Sequence, residues 1–295
     1  MSVLRRLGAA SVARTATALA RAAFEESAPG GQERWLRTNH RGESVSMLEG
    51  PAVAIGVLAG AVVSAPDARS ATSVALATAA GAGFGIADDL GEDPEDRRKG
   101  LRGHLGALAQ GRVTTGGLKV LGISTGALLA AAVATPARGT DGARRNLVGW
   151  AADVATSGAL IAATANLVNL LDLRPGRALK ATSIAAAPLA FAPGAGGVAA
   201  SALLGAGAAA ADQDLAETDM LGDGGANALG AALGAALVLS APRPVRLGAL
   251  AAAIGLTVAS EKVSFTAVIE STPVLRDIDR WGRRPVHAPS RPPRG

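Results

Sequence analysis

The acidic residues of this chain are clustered rather than spread. Asp88 and Asp89 follow a long apolar stretch and are themselves followed by Glu92, Asp93, Glu95 and Asp96. Asp172 closes another apolar stretch, just after Asn166 and Asn169. Asp212, Asp214, Glu217, Asp219 and Asp223 lead into a third, with Asp223 inside Met220-Leu221-Gly222-Asp223-Gly224-Gly225. Carboxylates delivered by several segment ends can converge on one pocket, where they repel one another unless a cation neutralises them. Hard oxygen donors of this kind suit Mg²⁺, which keeps waters and adds substrate phosphates. Basic residues in the same loops (Lys99, Arg102, His104, Lys119, Arg174 and Arg177) could pair with phosphate oxygens. Glycines around Asp223 let a backbone approach a phosphate closely. The chemistry pointed to is a Mg²⁺-dependent phosphate site. The run from Glu92 to Asp96 and His104 taken alone also read as ordinary solvated loop residues. Asp153 sits inside an apolar stretch, where a charge is expensive, but near its outer end. Snorkelling, or packing against Thr156 and Ser157, explains it as well as function does.

These residues must be held by membrane helices. Apolar residues make up 49% of the chain and charged ones 18%, with a mean hydropathy of +0.29. That composition excludes a disordered chain. The absence of cysteine excludes disulfides, Cys-ligated metal sites and a thiol nucleophile. A pI near 10.6 would suggest nucleic acid as a partner, but the basic residues lie between long apolar stretches, so topology explains them and no nucleic acid is expected. Eight stretches approach the roughly 20 residues that a bilayer requires: 51–66, 69–87, 118–135, 147–165, 178–194, 196–211, 225–241 and 247–260. The fold class expected is an all-α polytopic transmembrane bundle. The 38 glycines and the many alanines suit close packing of membrane helices.

With eight spans both termini fall on one side. That side carries 23 of the 29 Lys and Arg residues, which makes it cytoplasmic by the positive-inside rule and places the carboxylates on the cytoplasmic face of a plasma-membrane protein. Residues 1–50 are then a cytoplasmic segment. Its stretch 7–24 is interrupted by Arg14 and Arg21 and reads as an interfacial amphipathic helix. Residues 51–261 form the transmembrane core and 262–295 a basic cytoplasmic tail, whose end, Arg291-Pro292-Pro293-Arg294-Gly295, suits orientation and contact with anionic lipid. Trp35, Trp150 and Trp281 fall outside spans or at their edges, where an amphipathic ring is most stable.

The order and spacing of the motifs resemble the polyprenyl-phosphate N-acetylhexosamine-1-phosphate transferase family, which includes MraY-like and WecA-like enzymes. The resemblance runs from about residue 39 to 225. Asn39-His40-Arg41-Gly42 is similar to an early Asn-x-Arg-Gly element, and Gly83-Phe84-Gly85-Ile86-Ala87-Asp88-Asp89 to a Gly-Phe-x-Asp-Asp element. Lys99-Gly100-Leu101-Arg102-Gly103-His104 and Thr114-Thr115-Gly116-Gly117-Leu118-Lys119 resemble the remainder of that loop. Asn166-Leu167-Val168-Asn169-Leu170-Leu171-Asp172 resembles Asn-x-x-Asn-x-x-Asp, and Leu221-Gly222-Asp223-Gly224-Gly225 resembles Met-Gly-Asp-x-Gly.

The resemblance implies Mg²⁺-dependent transfer of a phospho-sugar from a UDP-sugar to polyprenyl phosphate, releasing UMP, in cell-envelope glycan synthesis. It implies Asp223 and Asp172 as metal ligands, and Asp88, with Asp89 beside it, as the group that binds or deprotonates the lipid phosphate. It implies Asn166, Asn169, Lys119, Lys99, His104, Arg41 and Gly222 as substrate-binding positions. The lipid bilayer is a further partner, and a homodimer is left open. The chain departs from the family where a late His-rich element would stand, at residues 261–284, and where Asp172 is followed by Leu173-Arg174-Pro175-Gly176 without a second Asp. It also shows fewer spans than the family's usual ten or so. These departures keep a second expectation in play: a non-catalytic relative that binds lipid phosphate or serves as a scaffold. A transporter, which would place ionisable residues deep in its spans, has only Asp153 to support it.

Overall fold

The computed structural model describes residues 3–39, 41–91, 115–137 and 146–285. Eleven α-helices account for most of them: α1 (Val3–Glu26), α2 (Glu49–Val63), α3 (Ala68–Gly91), α4 (Thr115–Ala134), α5 (Leu147–Leu171), α6 (Arg177–Ala190), α7 (Ala195–Leu215), α8 (Gly222–Ser240), α9 (Arg243–Ser260), α10 (Phe265–Ser271) and α11 (Pro273–Arg280). A 3-10 turn (Gln32–Trp35) and a two-stranded antiparallel hairpin, β1 (Leu36–Thr38) with β2 (Ser44–Ser46), connect α1 to α2. The fold is all-helical apart from this hairpin, and each of the eight apolar stretches is a helix.

Helix α8 is the central element. Nearly every residue from Gly222 to Ala236 is buried, against α3, α5, α7 and α2. The sequence allows this because α8 is built almost wholly of Gly, Ala and Leu, so neighbouring backbones come close. A Cβ added at Gly230 would lie 2.4 Å from the Thr164 carbonyl oxygen, and one at Gly85 would lie 2.4 Å from that of Asp223. Small-residue packing of this kind supplies van der Waals contact where no water is available to drive association.

Four helices, α3, α4, α5 and α7, are long and apolar enough to cross a membrane, and the bent pair α9 and α10 makes a fifth if it is one span. The bundle is therefore compatible with a multi-pass membrane protein, with fewer self-sufficient spans than the eight expected. The reason is length and hydropathy. At 14 residues α6 is about 21 Å long, against a hydrocarbon core of roughly 30 Å. Helix α2 is apolar but has only 15 residues.

Helix α1 differs from expectation. It is not a separate surface helix but packs along α2 and α7, burying the stripe Ala9, Ala13 and Thr17. These recur every four residues and face Gly56 and Gly60 of α2, while Gly205 of α7 meets the Ala10 backbone. Gly8 lies near Ser64, at the end of α2, and Arg6 donates to the Phe191 carbonyl oxygen at the end of α6. Arg21 reaches Asp219, at the opposite end. The start of α1 and the segment after α9 thus lie at opposite ends of the bundle. The periodicity was masked because alanine is small enough to serve a packed stripe without looking strongly apolar. Part of the expected tail is also ordered: residues 265–280 form α10 and α11.

Candidate functional site

One end of the bundle collects the C-terminal ends of α1, α3, α5, α7 and α9 and the N-terminal ends of α2, α4, α6 and α8. Lys119, in the first turns of α4, is the centre of the site. Its Nζ lies 2.6 Å from Asp88 Oδ2 and also pairs with Asp223 Oδ2. An ammonium ion between two carboxylates offsets their mutual repulsion. Asn227, one turn after Asp223 on α8, donates from its side chain to the Asp223 carbonyl oxygen at 2.7 Å.

Asp89 has a different task. Its Oδ1 accepts from the Asp223 backbone N–H at 3.1 Å and its Oδ2 from that of Gly224 at 2.9 Å. A carboxylate from α3 therefore caps the first turn of α8, where unpaired N–H groups favour an anion. The cap requires the backbone of Gly222 to turn with φ +59°, and a Cβ there would lie 3.0 Å from Asp89 Oδ2. Glycine at this position serves the turn and the close approach together. Arg37 of the hairpin donates to the Asp89 carbonyl oxygen.

Two cavities flank this wall of charge. The first, of 360 Å³, runs between α4, α5, α8 and α9 and is lined by Lys119, Val120, Ile123, Asn166, Asn169 and Asn227, among others. It has a polar head at Lys119 and an apolar body. Asn166 is exposed and donates to Thr257 Oγ1 at 3.2 Å. The second, of 370 Å³, lies under the hairpin and is lined by Arg37, Asn39, Asp89, Asp172, Arg174 and Asp214, among others. Desolvation, then the charges of Asp214, Asp223 and Asp89, holds the Asp172 carboxyl well above the usual carboxylate range. The Arg177 guanidinium opposes this shift less than each of these carboxylates favours it.

The remaining expected site residues are placed as follows. Arg41 donates from Nε to Glu217 at 2.9 Å and from its terminal nitrogens to the carbonyl oxygens of Arg284 and Pro285. It clamps the hairpin to the α7–α8 loop and the C-terminal segment. Glu43 completes this clamp with Arg284 at 2.7 Å, and hydrogen bonds from Arg284 and Asn39 lower its carboxyl to about 2. Asp172 lines the second cavity with Asp89 and Asp214, and the charge of Asp223 also reaches it. Lys99 and His104 lie outside the described residues, as does the acidic run 92–96. Asp153 pairs with Arg246 of α9 at 3.1 Å, and Arg246 also donates to Ser157, which is a link between α5 and α9. Sequence reasoning overlooked Arg37, Asn227 and Asp214 as site residues. The spacing of Asn227 four residues after Asp223 would have placed it on the same helix face. Nothing in sequence signals Arg37.

The donor set bears on a metal ion. Among the described residues no three carboxylates or histidines gather closely enough to hold one by themselves. Asp88 and Asp223, however, already share one cation, the Lys119 ammonium. Mg²⁺ needs only one or two carboxylates when waters and substrate phosphates complete its shell. On this pair a Mg²⁺ ion would depend on a phosphorylated substrate to complete its shell.

No family model matches the chain, and no curated protein matches it significantly.

Proposed function

We propose that this protein transfers a phospho-sugar from a UDP-sugar to polyprenyl phosphate, releasing UMP, at the cytoplasmic face of the plasma membrane. The observation that carries the reading is the Asp88–Lys119–Asp223 arrangement at the polar head of a groove with an apolar body. The groove suits a lipid phosphate: an isoprenoid chain lies along Val120, Ile123 and the α5 alanines, and its phosphate meets Lys119. The second cavity is assigned to the nucleotide diphosphate, which would meet Arg37, Arg174 and Asn39 and would need a cation to offset Asp89, Asp172, Asp214, Glu217 and Asp219 on the other walls. The excess of Lys and Arg in the connections at this end supports a cytoplasmic placement.

In this reading a lipid phosphate oxygen attacks the β-phosphorus of the UDP-sugar. The new P–O bond joins lipid phosphate to sugar phosphate, and the bond to UMP breaks. Asp88 receives or orients the lipid phosphate proton, and Lys119 holds the anionic oxygens. Asn169 and Asn227 orient the phosphate at the groove head. Asp89 acts indirectly, by fixing the first turn of α8 and with it Asp223. A Mg²⁺ ion held by Asp223 and Asp88 would supply charge stabilisation on the diphosphate. Positioning and electrostatics carry most such reactions.

The test is UMP release by purified protein with Mg²⁺, undecaprenyl phosphate and a panel of UDP-sugars. Asp223→Asn and Lys119→Met should each lower turnover by about 10²-fold or more, the scale on which a charge-stabilising group matters, with the fold retained by circular dichroism. Release that persists undiminished in Asp223→Asn would defeat the assignment. A second reading, a lipid-phosphate-binding relative without catalysis, draws on the engagement of Asp89 by the α8 backbone and on the absence of a carboxylate trio among the described residues. Retained binding of undecaprenyl phosphate with no release from any donor would select it.

A further inference from the structure

At Ser260 the chain leaves α9, and α10 runs at 98° to it. If α9 follows the bilayer normal, α10 lies in the membrane plane. Helix α11 then exposes one apolar face: Val274, Leu275, Ile278 and the following Trp281. Val274 is 68% exposed and Trp281 76%. The spacing i, i+1, i+4, i+7 puts all four on one side of a helix. Arg276, Asp277 and Arg280 occupy the other side. Only one residue of α11 is buried, Asp279. It accepts from Arg177 Nε at 2.8 Å and from Arg283 at 2.6 Å, while Lys180 donates to its carbonyl oxygen. Arg177 also donates to Thr266 Oγ1 on α10. Helix α11 is thus pinned to α6 by ion pairs while its apolar face stays largely exposed. Ile278 and Trp281 continue into an apolar cavity of 390 Å³ between α6 and α7, lined by Leu179, Ile184, Leu204 and Leu215.

We propose that α10 and α11 form an interfacial arm, in which the Val274–Leu275–Ile278–Trp281 face inserts among the acyl chains of the adjacent leaflet. Three features select lipid over a protein partner. The arm turns into the membrane plane where the bundle helices end. Its apolar face is continuous with the lateral surface of the bundle. Its outer side and flanks carry both signs of charge, Lys262, Arg276 and Arg280 beside Glu261, Glu270 and Asp277, a polar face suited to the headgroup layer. The Asp279 ion pairs then set the arm's depth by tethering it to α6. The inference rests on reading the bundle as membrane-embedded, and the experiment separates the two.

The chain has no cysteine, so single cysteines can carry a fluorophore in the full-length protein. Val274→Cys, Asp277→Cys and Leu129→Cys, the last on the exposed flank of α4, are labelled with NBD and reconstituted in vesicles with and without brominated lipid. The expected result is blue-shifted emission at 274 that brominated lipid cuts by about half, with little change at 277. Quenching at 129 without quenching at 274 overturns the arm while the membrane reading stands. No quenching at 129 overturns the membrane reading, and the arm with it. Emission at 274 that is shielded without bromolipid quenching, and more so at higher protein concentration, means that a second copy covers the face and also overturns the proposal.

Discussion

Lys119 is held by two carboxylates from different helices, Asp88 and Asp223. Neither acid can be judged from its local sequence, because each draws its compensation from a residue far away along the chain. Asp172 shows the opposite condition, a carboxyl on which the charges of other carboxylates outweigh that of Arg177. Its carboxyl is raised above the unfolded value by desolvation and by Asp214, Asp223 and Asp89. A raised acid contributes stability that is fully present below its unfolded pKa, near about 3.9, and lost as pH rises through the folded value. Asp172→Asn removes that penalty. Thermal unfolding in detergent should show the variant melting above the parent at pH 8, with the gap closing toward pH 4. A gap independent of pH would disprove the cause assigned here.

At the scale of elements, the site is a set of helix ends held by small-residue contacts. Helix α1 depends on them most. Its contact with α7 runs through Gly205, where an added Cβ would lie 2.1 Å from the Ala10 carbonyl oxygen. A side chain there cannot be relieved by rotamer change, because the obstacle is backbone. Gly205→Val should cost about 1–3 kcal/mol, the usual range for overpacking, and should free α1 first. Limited proteolysis between α1 and the hairpin, near residues 27–31, reads this directly, since cleavage there should accelerate in the variant. Asp89 shows the same logic in polar form. It joins α3 to α8 by accepting two backbone N–H groups, so its contribution to the site is the position of Asp223.

For the whole molecule, nine helices, α1 to α9, run alternately up and down the bundle, and the odd number separates its ends. The start of α1 lies with the Ser64 and Phe191 end, and the segment after α9 lies with the carboxylates. In sealed vesicles, a membrane-impermeant maleimide should label Val3→Cys and Pro285→Cys from opposite sides. Labelling of both from one side would disprove that α1 runs across the membrane with the other helices. The carboxylate end is closed by a clamp of its own: Arg41 with Glu217, and Arg284 with Glu43. This clamp holds the hairpin over the second cavity.

Hydropathy and segment length alone determined the eight helices from α2 to α9, because runs of Ala, Leu and Val without charge have few other stable forms. They also determined that Asp88, Asp172 and Asp223 stand at helix ends on one side, since alternation along an up-and-down chain follows from counting segments. The tertiary structure alone decided which acids meet. Lys119 chose Asp88 and Asp223, Asp172 went to the hairpin cavity, and Asp89 became a cap, because partner choice depends on helix neighbours that no local spacing encodes. It also decided the role of α1. Arg14 and Arg21 make α1 look like a surface helix until Arg21 is seen to reach Asp219, and until Ala9, Ala13 and Thr17 are seen to fit against glycines of α2. A charge lowers a segment's hydropathy whether or not a partner awaits it, and that partner becomes visible only once the chain has folded.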